Sequence, residues 1–268
     1  MADSAPKAGR DVSSFSADSR WHKPVVGLIS VGLFLAVWEM APRLGWIDPF
    51  YTSAPARMYS VGLEVFQSGE LMENIRVSLV EFCWGFALAL LAGIPLGLLL
   101  GTNATARALL DPLVTALYCM PRLALLPVII MWLGIGMESK VVVVLIGAVL
   151  PIIVNTMAGI REVDPNWARA AVSFGASRLD VFVKVLLPGS VPAVLTGVRL
   201  GLGRGILGVV IAEMYVSVAG VGHLIVTYGA AMRVDHLVFY SMLVSVFGFA
   251  AVTAVGKVEE RLQSWRGD

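Results

Sequence analysis

Six stretches of this chain, at about residues 25–44, 77–101, 112–133, 139–160, 191–216 and 236–256, are long and apolar enough to cross a membrane, since the hydrocarbon layer takes roughly 20 mostly apolar residues of helix. Inside lipid the backbone has no water to bond, so such spans must satisfy their own N–H and C=O groups. Composition agrees: 57% of the 268 residues are hydrophobic, 15% are charged and mean hydropathy is +0.81, unlike an ordinary soluble domain. The expected fold class is an all-α integral membrane protein with about six transmembrane helices.

An even number of spans puts both termini on one side. Lys7, Arg10, Arg20, Lys23, Arg107, Arg161, Arg169, Arg178, Lys184, Lys257, Arg261 and Arg266 share that side, and only Arg43, Arg57, Arg76, Lys140 and Arg233 fall opposite. The excess of basic residues marks the cytoplasmic face. Residues 1–24 read as a disordered cytoplasmic tail, 25–76 as the first transmembrane helix with a periplasmic segment, 77–256 as the core, and 257–268 as a cytoplasmic C-terminal tail. No small-residue cleavage site follows the first apolar stretch, so it reads as a retained span. Within 45–76 a short amphipathic stretch, Met58 to Phe66, either lies at the outer interface or belongs to a plain linker.

Pro112, Pro121 and Pro127 around the third span break its helix and free carbonyls that lipid does not tolerate, so this span is expected to line a watery path. Gly93, Gly97 and Gly101, and again Gly197, Gly201, Gly205 and Gly208, follow close to four-residue spacing along helix faces, which means close helix packing. Cys83 and Cys119 lie in apolar segments and read as small buried hydrophobes. The three histidines are far apart and form no metal site. A net charge of +1 excludes a basic nucleic-acid binder.

Charges inside spans need a partner or water. Arg122, beside Pro121, is placed to snorkel to the cytoplasmic interface, and Arg199 could do the same. Arg204 sits too deep for that, so it either faces a path or a second subunit, or pairs with another span. Glu213 projects from the opposite helix face and is either a structural contact near the outer end or part of an outer gate. Met131 and Trp132 stand at the outer end of the third span, with Trp132 read either as an aromatic-belt residue or as a path residue.

Between the fourth and fifth spans lies ARAAVSFGASRLDVFVKVLLPGSVPAVLTGVRLGLG (168–203). Asp164 and Pro165 start a helix that runs past Trp167, Ala168, Ala170 and Ala171, and Gly175 stops it; Ser177 then caps a short helix from Arg178 to Leu186, which Pro188 ends. With Phe174 near its tip the loop is too apolar for a tether, and a cytosolic partner is implied. The pattern A-A-x-x-x-G followed by L-P resembles the cytoplasmic loop of binding-protein-dependent ABC importer permeases, matched at Ala170, Ala171, Gly175, Leu187 and Pro188. Arg169 stands where that family usually has glutamate, so a carboxylate contact there does not carry over. MPRLALLPVIIMWLGIGMESK (120–140), VNTMAGIREVD (154–164) and the AEM of 212–214 are similar to the nitrate, sulfonate, taurine and bicarbonate branch.

The resemblance implies a type I importer permease fold in which loop 161–188 carries the coupling helix. Docking to the ATPase would use Arg169, Ala170, Ala171, Phe174, Gly175, Ala176, Ser177, Leu187 and Pro188, and the translocation path would use Pro121, Arg122, Met131, Trp132, Arg204 and Glu213. It further implies a homodimer of such chains in the bacterial inner membrane, two separate ATPase subunits and a periplasmic solute-binding protein. The chain itself shows no catalytic pair, no metal cluster and no phosphate-cradling G-x-x-x-x-G-K-[ST]. It would then bind no cofactor, with ATP and magnesium on the partner ATPase. An ion-coupled secondary transporter or channel would show carboxylate relays or internal repeats, and neither is seen. Sulfonates such as taurine are the first expected solute, followed by nitrate, bicarbonate, aromatic acids and thiamine-precursor pyrimidines.

Overall fold

A computed structural model describes residues 22–263. Residues 1–21 of the expected N-terminal tail and 264–268 of the expected C-terminal tail lie outside the described residues. The described chain is helical throughout: α1 (His22–Arg43), α2 (Pro55–Gln67), α3 (Glu70–Thr102), α4 (Ala104–Cys119), α5 (Leu126–Leu133), α6 (Met137–Glu162), α7 (Pro165–Ser173), α8 (Arg178–Val181), α9 (Leu187–Val216), α10 (Val221–Ala230) and α11 (Val234–Gln263).

Five helical stretches are long and apolar enough to cross a membrane: Val25–Arg43, Glu70–Thr102, Met137–Glu162, Arg178–Val216 and Val234–Arg261. The expected third span, 112–133, is not one helix. It is broken between α4 and α5, where Met120 is extended (φ −65°, ψ 135°) and Arg122–Leu125 form a 3-10 turn. Only Pro121 makes this break, because a proline pushes the residue before it out of the helical region. Pro112 rides inside α4 and Pro127 opens α5, so neither breaks a helix.

The chain divides into two compact units between Arg57 and Met58, within α2. In the first, Glu39 pairs with Arg43 and accepts the Ala56 N–H at 3.0 Å. Arg57 donates to the carbonyls of Pro49 (3.1 Å) and Thr52 (2.7 Å), closing the segment after α1. The boundaries expected at 76 and 256 fall inside α3 and α11 respectively, which continue without interruption across them.

In the second unit α6 runs between α3 and α9, and the glycines set that packing. A Cβ on Gly97 would stand 2.5 Å from the Thr156 Cβ, and one on Gly93 or Gly101 would crowd Ile152 or Ile160. The α3 stripe extends back through Ala89 to Gly85, which backs onto Val144. On the other side Gly197, Gly201 and Gly208 approach the backbone of α6 at Pro151, Ala148 and Val143. Val144, Ala148, Ile152 and Thr156 are accordingly sealed from both sides. Such contact relies on dispersion and close backbone approach, the forces available between helices in lipid.

Cys83 and Cys119 are exposed, not buried. A membrane helix has no reason to hide an apolar side chain, because lipid tails solvate it as well as a core does.

Candidate functional site

The loop 161–188 is built from local signals. Asp164 caps α7 by accepting the Asn166 N–H at 2.8 Å, and Pro165 occupies the first turn, where no N–H is needed. Arg169 donates to Asn166 Oδ1 at 2.6 Å on the exposed face. Past Ser173 the Ala176 N–H reaches the Ala171 carbonyl (3.0 Å) and the Gly175 N–H reaches Val172 (2.9 Å), the two bonds of a Schellman cap. That geometry puts Gly175 at φ 85°, where a Cβ is disfavoured. Ser177 and Asp180 then form a capping box, and Lys184 holds Asp180 at 2.6 Å.

Pro188 does not end the second helix. Residues Phe182–Leu186 form a π turn in which the Leu187 N–H bonds the Phe182 carbonyl, and α9 continues directly from it. The wider turn gives the proline ring room that an α-helical turn would deny it against the carbonyl four residues back. The short helix of the loop and the long span are therefore one rod, Arg178–Val216. The apolar side chains Trp167, Val172 and Leu179 are exposed with Phe174, whose exposure reaches 93%. Such a cluster of exposed apolar side chains is the kind that marks interaction surfaces.

At the end of the bundle away from this loop lies a knot of polar groups within apolar spans. Lys140 Nζ sits 2.5 Å from Glu81 Oε1 and donates to Ser217 Oγ at 2.8 Å, with Lys140 and Glu81 both buried. Glu213 has no exposure at all and accepts the Gly222 N–H at 2.7 Å. Asn74 and Ser78 accept the N–H groups of Gly220 (2.7 Å) and Val221 (2.9 Å). Gly220 is itself at φ 108°, and a Cβ there would collide with the Glu213 carboxyl. The knot ties α3, α6, the end of α9 and the start of α10 together. Beside it Tyr228 and Tyr240 both donate to Glu70.

Little of this is legible in the sequence. By position Lys140 is one of the flanking charges, and Glu81 enters no expectation, although a glutamate inside VSLVEFCWGF is a visible signal. Glu213, expected as a structural contact near the outer end or part of an outer gate, lies wholly inside the knot. Arg199, expected to snorkel, pairs with Glu259 of α11 at 3.3 Å, and Thr196 donates to the same carboxylate at 2.7 Å.

Arg204 is exposed, and among the described residues its side chain makes no hydrogen bond or ion pair. It lines an open groove of about 420 Å³ together with Pro121 at the α4–α5 break and the facing sides of α6 and α9. Of the other expected path residues, Arg122 lies in the 3-10 turn beside the groove's Pro121, whereas Met131 and Trp132 are exposed at the end of α5 and do not line it.

The profile of the family described as binding-protein-dependent transport system inner membrane component matches residues 93–264. The chain is 30% identical to the taurine transport system permease protein TauC of Escherichia coli over 93% of its own length and 94% of that protein. It is 31% identical to the putative aliphatic sulfonates transport permease protein SsuC of the same organism, over 91% and 90% of the two chains. Among solved structures the MetNI methionine ABC transporter in an inward-facing conformation superposes with a TM-score of 0.61 at 19% identity, over 70% of this chain and 94% of that one. That likeness is one of fold.

Proposed function

The chain belongs to the family of binding-protein-dependent transport system inner membrane components, and from that premise we propose that it is the permease of an ATP-driven importer moving a small anionic or zwitterionic solute, sulfonates first. The observation that carries the reading is the rod Arg178–Val216, which joins an exposed apolar loop surface to a span that presents Arg204 to an open groove. A partner gripping Phe174 and Leu179 moves the near end of that rod, and a continuous helix transmits the motion instead of absorbing it. The partner is a separate ATPase subunit that carries ATP and magnesium, since no phosphate-binding loop is present in this chain. A second permease copy, a second ATPase and a periplasmic binding protein complete the assembly. The loop and both termini face the cytoplasm of a bacterial cell, on the distribution of Lys and Arg.

Gly175→Val tests it. A Cβ at this position meets nothing within 4 Å, so the cost is purely conformational, about 1–2 kcal/mol and more for a β-branched residue. The expected outcome is a chain that still reaches the membrane but loses uptake and co-purifies poorly with its ATPase. Normal uptake and co-purification in this variant would remove the coupling role of the loop.

A further inference from the structure

The groove at Arg204 has a chemistry of its own. Arg204, Leu207 and Ile211 follow one another at helical spacing along α9, and Val143 and Ile146 do so along the facing side of α6. Ile129 of α5 adds to the apolar wall, and among the described residues no carboxylate lines the groove. At ~1.5 Å per residue Arg204 lies roughly 25 Å from the start of α9 at Leu187 and roughly 18 Å from its end at Val216. A guanidinium at that depth without a partner costs at least a few kcal/mol unless water or an anion reaches it. The break at Pro121 supplies the wet opening, because a proline leaves a helical carbonyl without its donor and such a group needs water at membrane depth.

We infer that this groove receives the transported solute and that the solute is an organic monoanion with an apolar body, its oxyanion head on Arg204 and its chain along Val143, Ile146, Leu207 and Ile211. The inference rests on the importer reading and narrows it. Three features make the choice. The guanidinium fork matches an oxyanion head bidentately. A volume near 420 Å³ falls in the ~300–1,000 Å³ range of small-molecule sites, far more than a bare inorganic anion fills. With no carboxylate among the described residues that line it, the groove offers the ammonium of a zwitterion no counter-charge, so an alkanesulfonate is preferred over an aminosulfonate, and both over nitrate.

The chain carries its own probes. Cys119 lines the groove and Cys83 stands on another face beside Trp84, and both are exposed. The full-length permease, in nanodiscs of zwitterionic lipid, is labelled with a maleimide in the presence of hexanesulfonate, taurine or nitrate. Hexanesulfonate should slow Cys119 labelling by about tenfold at ~10 times its Kd while Cys83 labels unchanged. Taurine and nitrate at the same concentration should protect far less, and Arg204→Gln should abolish the protection. Equal protection by nitrate or taurine overturns the solute class, and protection that survives Arg204→Gln overturns the site. If anionic lipid in the disc protects Cys119 by itself and hexanesulfonate adds nothing, the groove is a lipid site and the inference falls. Should Cys119 resist the reagent throughout, uptake decides: Arg204→Gln must stop hexanesulfonate entry, and continued entry overturns the inference. Normal uptake in Gly175→Val alongside intact Cys119 protection would instead remove the coupling role of the loop and leave the site standing.

Discussion

Lys140 and Arg204 are both cations inside apolar spans that pack on one another, yet the molecule treats them in opposite ways. Lys140 is buried, 2.5 Å from Glu81 and bonded to Ser217 as well. Arg204 stands exposed on a groove with no partner among the described residues. A buried ion pair breaks about even against apolar packing at best, but losing one partner strands the other charge. The knot thus fastens helices together and tolerates little change, whereas Arg204 contributes nothing to packing that would account for its depth. On the inference drawn above, a charge kept in the membrane without a structural partner is there for the solute.

The larger effect on stability is expected at Lys140. Lys140→Met leaves the Glu81 carboxylate buried and unpaired, an expected loss of about 3–5 kcal/mol, read as a large fall in the apparent Tm of the purified chain. Glu81→Gln added to it should recover most of that fall, because two neutral side chains need no counter-charge. A double variant as unstable as the single one would mean that the pair does not organise the knot.

What local rules govern was legible in the sequence. The caps at Asp164, Gly175 and Ser177 and the glycine stripes on α3 and α9 were read from spacing alone, since each depends on residues within one or two turns. The knot was not legible because its members are far apart: Lys140 and Glu81 are separated by 59 positions and Asn74 and Gly220 by 146, and no period links them. Pro188 misled for a different reason. A proline ends an α-helix, but five residues of π turn carry the chain past it, and nothing in the local pattern announces a π turn. The exposed cysteines show that in a membrane chain apolar surroundings in sequence do not imply burial in space.

A smaller effect is expected at Asn74, which accepts the Gly220 N–H at 2.7 Å and donates to the Glu70 carbonyl at 2.8 Å. Asn74→Ala strands a buried N–H, a cost of about 1–3 kcal/mol. The loss should be local, appearing as faster amide hydrogen exchange across 217–222 with α6 and the 164–186 loop unchanged. Exchange that rises evenly over the whole chain would show that the turn is not held by this bond in particular.

The smallest stability effect is expected at Arg204, and it is the sharpest form of the contrast. Arg204→Gln removes a charge that pairs with nothing among the described residues and exposes no new cavity, so stability should stay within the ~0.5 kcal/mol typical of substitutions away from packed features, and the apparent Tm should barely move. Set beside Lys140→Met, the two variants change the same net charge by the same amount, one cation lost in each, so a difference between them reports environment and not charge. A Tm fall at Arg204→Gln comparable to that at Lys140→Met would mean that the arginine is held by a carboxylate, and since none among the described residues lines the groove, that carboxylate would come from outside them, in this chain or in another subunit. Measuring the variant both as the isolated chain and in the assembled complex separates these cases: a fall confined to the complex locates the partner in the assembly, and no fall in either leaves Arg204 as a charge that waits for its solute.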